Sequence, residues 1–145
     1  MYEVFFAVAA NRIIVDAKTS QISIIDLYEK LQTSGFPVVI PKLSLLFYVS
    51  RQKMDEPVCS PTLICQCGDE EPILTTVINV DFKDLDVTRV VVALDNFSIP
   101  KPGLLSATLK LGEREWGHLD LEVALGASDP HPHVVKSGKF NYRVS

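Results

Sequence analysis

The chain has 145 residues, of which 47% are hydrophobic and 22% charged. That balance excludes a largely disordered polymer and fits one domain that buries roughly 68–70% of the surface its unfolded chain exposes. The formal charge of −4, with Lys and Arg scattered singly, works against phosphate backbones and anionic lipid surfaces, so neither nucleic acid nor a membrane is expected as a partner.

At the start, the apolar run "VFFAVAA" follows Glu3 directly and has no basic residue before it. It reads as a first strand near 3–10 and not as a secretory signal. No segment offers the roughly 20 apolar residues that span a bilayer. The three cysteines, Cys59, Cys65 and Cys67, are odd in number and close together, a poor disulfide framework, so a reducing, cytoplasmic setting is expected.

Next comes "SQISIIDLYEKLQTSGF". Ile22 and Ile24 fit a strand near 22–28, whereas Ile24, Leu27, Tyr28 and Leu31 fit a helical stripe. The expectation is a strand that enters a short helical or irregular insert. In "KLSLLFYVSRQ", Leu43, Leu45, Phe47 and Val49 occupy one face of a strand near 42–51, with Ser44, Leu46, Tyr48 and Ser50 on the other. "PTLICQCGD" sets Leu63, Cys65 and Cys67 together, and Gly68-Asp69 supplies a turn. A strand near 73–82 follows. "VTRVVVALDNF" is the most continuous β-branched run, as expected of a central strand near 87–95 that is covered on both faces.

Pro102-Gly103 fits a type II turn, with glycine where φ must be positive. After it, Leu105, Ala107, Leu109 and Leu111 alternate with Ser106, Thr108 and Lys110; beyond "GERE", Gly117, Leu119, Leu121, Val123 and Leu125 alternate with Trp116, His118, Asp120 and Glu122. Strands near 104–111 and 116–125 complete a count of about seven or eight, at the spacing of all-β sandwiches and barrels. Residues 1–125 form the expected sandwich domain. From Gly126 to Ser145 the pattern changes to Pro, His, Ser and Gly, ending in "KFNYRVS", a tail able to add an edge strand.

Three constellations carry candidate chemistry. Cys65 and Cys67 with His131 and His133 could supply four zinc ligands, but some 64 residues separate the pairs and the thiols share a face with Leu63, which favours buried structural cysteines. Asp81, Asp84, Asp86 and Asp95 are loop acids of the kind that calcium-binding sandwiches collect, yet they match no fixed ligand spacing and are also ordinary turn residues. Trp116, His118, Asp120 and Glu122 share the outward face of the last strand. Side chains on one strand point in parallel and cannot close around a substrate, so these four form a candidate interaction surface, with Trp116 as its aromatic contact. No catalytic or dinucleotide motif occurs in the sequence.

The order "FFAVAANRIIVD", "TSQISIIDLYEKL", "GFPVVIPKLSLLFYV" and "FSIPKPGLLSATLKLGE" resembles a family of small bacterial β-sandwich proteins of unknown function, over approximately residues 3 to 125. The resemblance implies a single immunoglobulin-like or C2-like sandwich, with Phe36-Pro37 leading into a central strand and Pro102-Gly103 leading into the final hairpin. It brings no activity, cofactor or catalytic residue with it. "TSQIS" lacks the glycine that the family pattern has in its turn. The combined expectation is a non-catalytic interaction or assembly module with a protein partner or self-association; the alternative is a sandwich that binds calcium or a small ligand.

Overall fold

The computed structural model describes residues 1–126. These form eleven strands and, among the described residues, no helix. The strands are β1 (Glu3–Val15), β2 (Ile22–Tyr28), β3 (Lys30–Thr33), β4 (Val38–Ser50), β5 (Val58–Cys59), β6 (Thr62–Cys67), β7 (Leu74–Val77), β8 (Val80–Asp81), β9 (Val87–Ile99), β10 (Gly103–Leu111) and β11 (Arg114–Leu125). Two main sheets pack as a sandwich: sheet A in the order β2-β1-β4-β9, and sheet B in the order β3-β11-β10-β6-β7. Strands β5 and β8 make a small ribbon. The tail from residue 127, with His131 and His133, lies outside the described residues.

The two-residue period puts one apolar row from each strand between the sheets. Leu43, Leu45, Phe47 and Val49 of β4 face Leu63, Cys65 and Cys67 of β6, with Leu105, Ala107 and Leu109 of β10 and Leu121 and Val123 of β11. Each such buried Leu or Phe contributes about 1.5–3 kcal/mol. The expected all-β sandwich and its alternating core are thus present.

The helical stripe is not. Residues 22–33 run as β2 in sheet A and then β3 in sheet B, where β3 pairs in parallel with β11. The chain changes sheets at Glu29, so the side chains before and after that corner follow different faces. A spacing of three and four results without any helix. Ala10 pairs with Leu27 and Arg12 with Ile25, and between them Asp26 takes φ 57°, which bends the hairpin. Arg89 of β9 donates from Nη2 to the Ser20 carbonyl at 2.5 Å. Because β4 separates β1 from β9, this contact needs the far end of the hairpin to fold back over the outer face of sheet A. It accounts for the burial of Ala10, Ser44 and Leu46 on a face that points away from the core.

Two further expectations change. The strand near 73–82 is interrupted, with β7 in sheet B and β8 pairing with β5: the Ile78 N–H still donates to the Pro61 carbonyl at 2.9 Å, but Pro61 has no N–H to return the bond, and the β6–β7 ladder stops there. Among the described residues the β-branched run of β9 is an edge strand and not a central one: it pairs there with β4 alone. Its apolar residues do serve two faces, with Val90, Val92 and Leu94 toward the core and Val87, Val91 and Ala93 beside Ser50, Leu46 and Ser44 on the outer side. Composition reports how a strand's faces are covered. It does not report whether its second hydrogen-bonding edge is filled.

Candidate interaction surface

The outward face of the last hairpin is assembled by β10–β11 pairing, which sets His118 opposite Thr108, Asp120 opposite Ser106 and Glu122 opposite Leu104. His118 Nδ1 lies 2.8 Å from Glu115 Oε2, and its Nε2 lies 3.5 Å from Asp120 Oδ2. The Glu115 hydrogen bond, helped by the charge of Asp120, raises the imidazole pKa above its ordinary value against a smaller opposing effect of burial. Asp120 also accepts a hydrogen bond from Ser106 Oγ at 2.7 Å, and Glu122 sits 3.7 Å from Lys30 Nζ of β3. The structure therefore brings His118, Asp120 and Glu122 onto one exposed face and adds Glu115, which the alternation pattern had passed over as a turn residue.

Trp116 is not on that face. It is 3% exposed and belongs to the core cluster. The cause is a β-bulge: Leu109 pairs with Gly117 and Lys110 with Glu115, leaving Trp116 as an extra residue with no partner of its own. A bulge breaks strict alternation and lets two neighbours turn to the same side. Trp116 stacks on Tyr2 at 4.6 Å between ring centroids, and Tyr2 stacks in turn on Phe82 at 5.9 Å, with the Arg51 guanidinium 5.6 Å from the Phe82 ring centre. The Trp116 indole N–H is buried and has no hydrogen-bond partner among the described residues. The signal for this was the glycine directly after the tryptophan, a common mark of a bulge or of close backbone approach.

A second bulge does the opposite on sheet A. The β1–β4 register shifts between Val4 and Phe6, so Phe5 and Phe6 both flank Tyr48 on the outer face, at ring distances of 6.0 and 5.7 Å. Phe5 is 55% exposed, and Val87 and Val91 of β9 are also open to solvent. Arg89, held to the Ser20 carbonyl, stands between the two valines, and the second edge of β9 is unpaired among the described residues.

Of the four acids named for calcium, Asp84 and Asp86 are exposed, and Asp81 and Asp95 have other partners. Asp81 Oδ1 accepts from the Lys83 backbone N–H at 2.8 Å, holding a turn, and Asp95 pairs with Lys42 Nζ at 2.9 Å. Among the described residues no three His, Cys, Asp or Glu side chains are grouped so as to hold a metal ion. Cys65 and Cys67 are buried in the core with free thiols; burial pushes the Cys65 thiol up to about 11.

Among the described residues the architecture and surface define a two-sheet all-β protein whose exposed features are a polar strand face on sheet B and, on sheet A, exposed apolar side chains near an open strand edge. By sequence the chain belongs to a family of unknown function (DUF6941), whose model matches residues 6–124. No curated protein and no solved structure matches it.

Proposed function

We propose that the chain is a non-catalytic interaction or assembly module, cytoplasmic and bacterial, that works by docking protein on its sheet surfaces. The observation that supports this reading best is the outer side of sheet A, where Phe5, Phe6, Val87 and Val91 stand exposed on a side that ends at β9, whose second edge is unpaired among the described residues. Scattered surface apolar residues are normal, but exposed aromatic and β-branched residues beside a strand edge that is unpaired among the described residues are a common docking geometry. The overall charge of −4 supports a protein partner over nucleic acid or anionic lipid.

The polar strip Glu115, His118, Asp120 and Glu122 is a secondary contact area. Its groups are already paired with one another, with Ser106 and with Lys30, so it adds selectivity more than affinity. Size-exclusion chromatography with light scattering, together with capture on immobilised full-length protein, tests the reading. Self-association, or a saturable protein partner lost on Phe5→Asp substitution, supports it. A strict monomer that retains no partner overturns it.

A further inference from the structure

Among the described residues four strands end the two main sheets, and only one of them is a long, regular edge. β3 and β7, at the ends of sheet B, have four residues each; β2 is bent at Asp26. β9 has thirteen residues. From Val87 to Asp95 it contains no proline, glycine or lysine, and its first positive φ is at Asn96, between the Asp95–Lys42 and Phe97–Ile40 pairs. Proteins usually blunt such an edge with those residues or with a bulge. This one is left plain.

Its sequence is also complementary to itself. In an antiparallel pair the residue numbers of partners add to a constant, and that constant must be even if outer-face residues are to meet outer-face residues. When Val92 meets its own copy, Val90 lies opposite Leu94, Val91 opposite Ala93, and Arg89 opposite Asp95. Both ends of the apolar centre then carry an oppositely charged pair. Slipping by one allowed step in either direction sets Arg89 opposite Ala93 or Phe97 and Asp95 opposite Val87 or Val91, so neither charge is matched. Arg89 and Asp95 lie on the outer side of sheet A, beside Tyr48 and Lys42. Among the described residues Arg89 has no carboxylate partner; its Nη2 donates only to the Ser20 carbonyl. Asp95 is exposed and has Lys42 on one side.

We infer that two copies of this chain join through β9, antiparallel and centred on Val92, to make one continuous eight-stranded sheet with two Arg89–Asp95 pairs across the two-fold axis. The inference rests on the interaction reading above and names the partner: a second copy. Seven residues per strand take part, about 23 Å of ladder at the usual rise. A cross-strand ion pair is a modest term, but two of them fix the register against all neighbouring ones.

The test uses full-length protein and sedimentation velocity over a concentration series. Wild type shows a concentration-dependent dimer. Arg89→Asp and Asp95→Arg each raise its dissociation constant by about tenfold or more, because like charges then face each other twice. Mixing the two variants restores association, since one chain then carries two acids on β9 and the other two bases, and opposite charges meet at both ends of the ladder. Thermal melts check that each variant is folded; if one is not, Ala93→Lys, at an exposed position opposite Val91 of the second copy, gives the same loss. A dimer indifferent to all three substitutions, or variants that do not recombine when mixed, overturns the β9 pairing and leaves the interaction reading standing. A wild-type monomer at every concentration overturns the pairing as well, and if capture also retains nothing, both readings fall together.

Discussion

A Cβ on Gly117 of β11 would lie 2.6 Å from the Cβ of Val4 on β1. The two sheets approach tightly here, because the bulge turns both Trp116 and Gly117 inward and only a residue without a side chain fits beneath Val4. Gly117 also has φ 153°, a conformation that L-residues rarely adopt. Gly117→Ala is expected to cost about 2 kcal/mol or more, through overpacking and backbone strain together. Urea unfolding checks it: the midpoint falls while the slope stays unchanged. Gly112→Ala, whose Cβ would meet nothing within 4 Å and whose φ is 62°, carries the strain alone and costs less.

Leu46 and Leu104 both point away from the core, yet they behave differently. Leu46 is 1% exposed on the outer side of sheet A, under the folded-back hairpin, and Leu104 is 47% exposed on sheet B. Leu46→Ala is expected to destabilise by roughly 2–5 kcal/mol, the range for buried leucines, whereas Leu104→Ala stays within about 0.5–1 kcal/mol. Equal midpoints for the two variants in chemical denaturation would show that the hairpin does not cover Leu46.

The difference between those leucines shows what the sequence could convey. Alternation identified the core rows of β4, β6, β10 and β11 because a residue's face follows from its parity, a local property of the strand. Three things escaped that reading because they carry no local signature strong enough to read. The bulges at Phe5 and Trp116 each shift one residue to the other side, and an adjacent aromatic pair or a Trp-Gly step only hints at them. The corner at Glu29 moves the chain between sheets and imitates a helical period. The edge position of β9 depends on which strand lies beside it, a long-range fact. Of the four residues named as a surface, His118, Asp120 and Glu122 followed parity and are exposed; Trp116 sat at the bulge and is not.

The thiols give a chemical test of burial. Cys65 and Cys67 are 2% and 1% exposed, while Cys59 is partly open beside Tyr2. Iodoacetamide at pH 8 is expected to label Cys59 first and to reach Cys65 and Cys67 only on unfolding, as intact-mass spectrometry in native buffer and in urea would show. Because burial raises the folded Cys65 pKa from 9.0 to about 11, the unfolded chain loses that proton first. Stability should therefore decline as pH climbs from about 9 toward 11. Rapid native labelling at all three positions would place the thiols outside the core.

His118 sets a pH dependence of opposite origin. Glu115, and then Asp120, favour the protonated imidazole, so its folded pKa stands above the unfolded value of 6.5. A group whose folded pKa is raised binds its proton more tightly when folded, so the stabilisation is full below pH about 6.5 and disappears as pH rises through the folded pKa. The ring is half exposed, and solvent screening keeps the effect below about 1 kcal/mol. Melting curves of wild type and His118→Gln from pH 5 to 8 check this: the variant should melt lower at pH 5 and the two should converge toward pH 8. Added salt should narrow the gap at pH 5, since the interaction is between exposed charges. A gap that widens toward pH 8 would mean that His118 contributes as a neutral hydrogen-bonding ring, and that the two carboxylates beside it do not govern its charge.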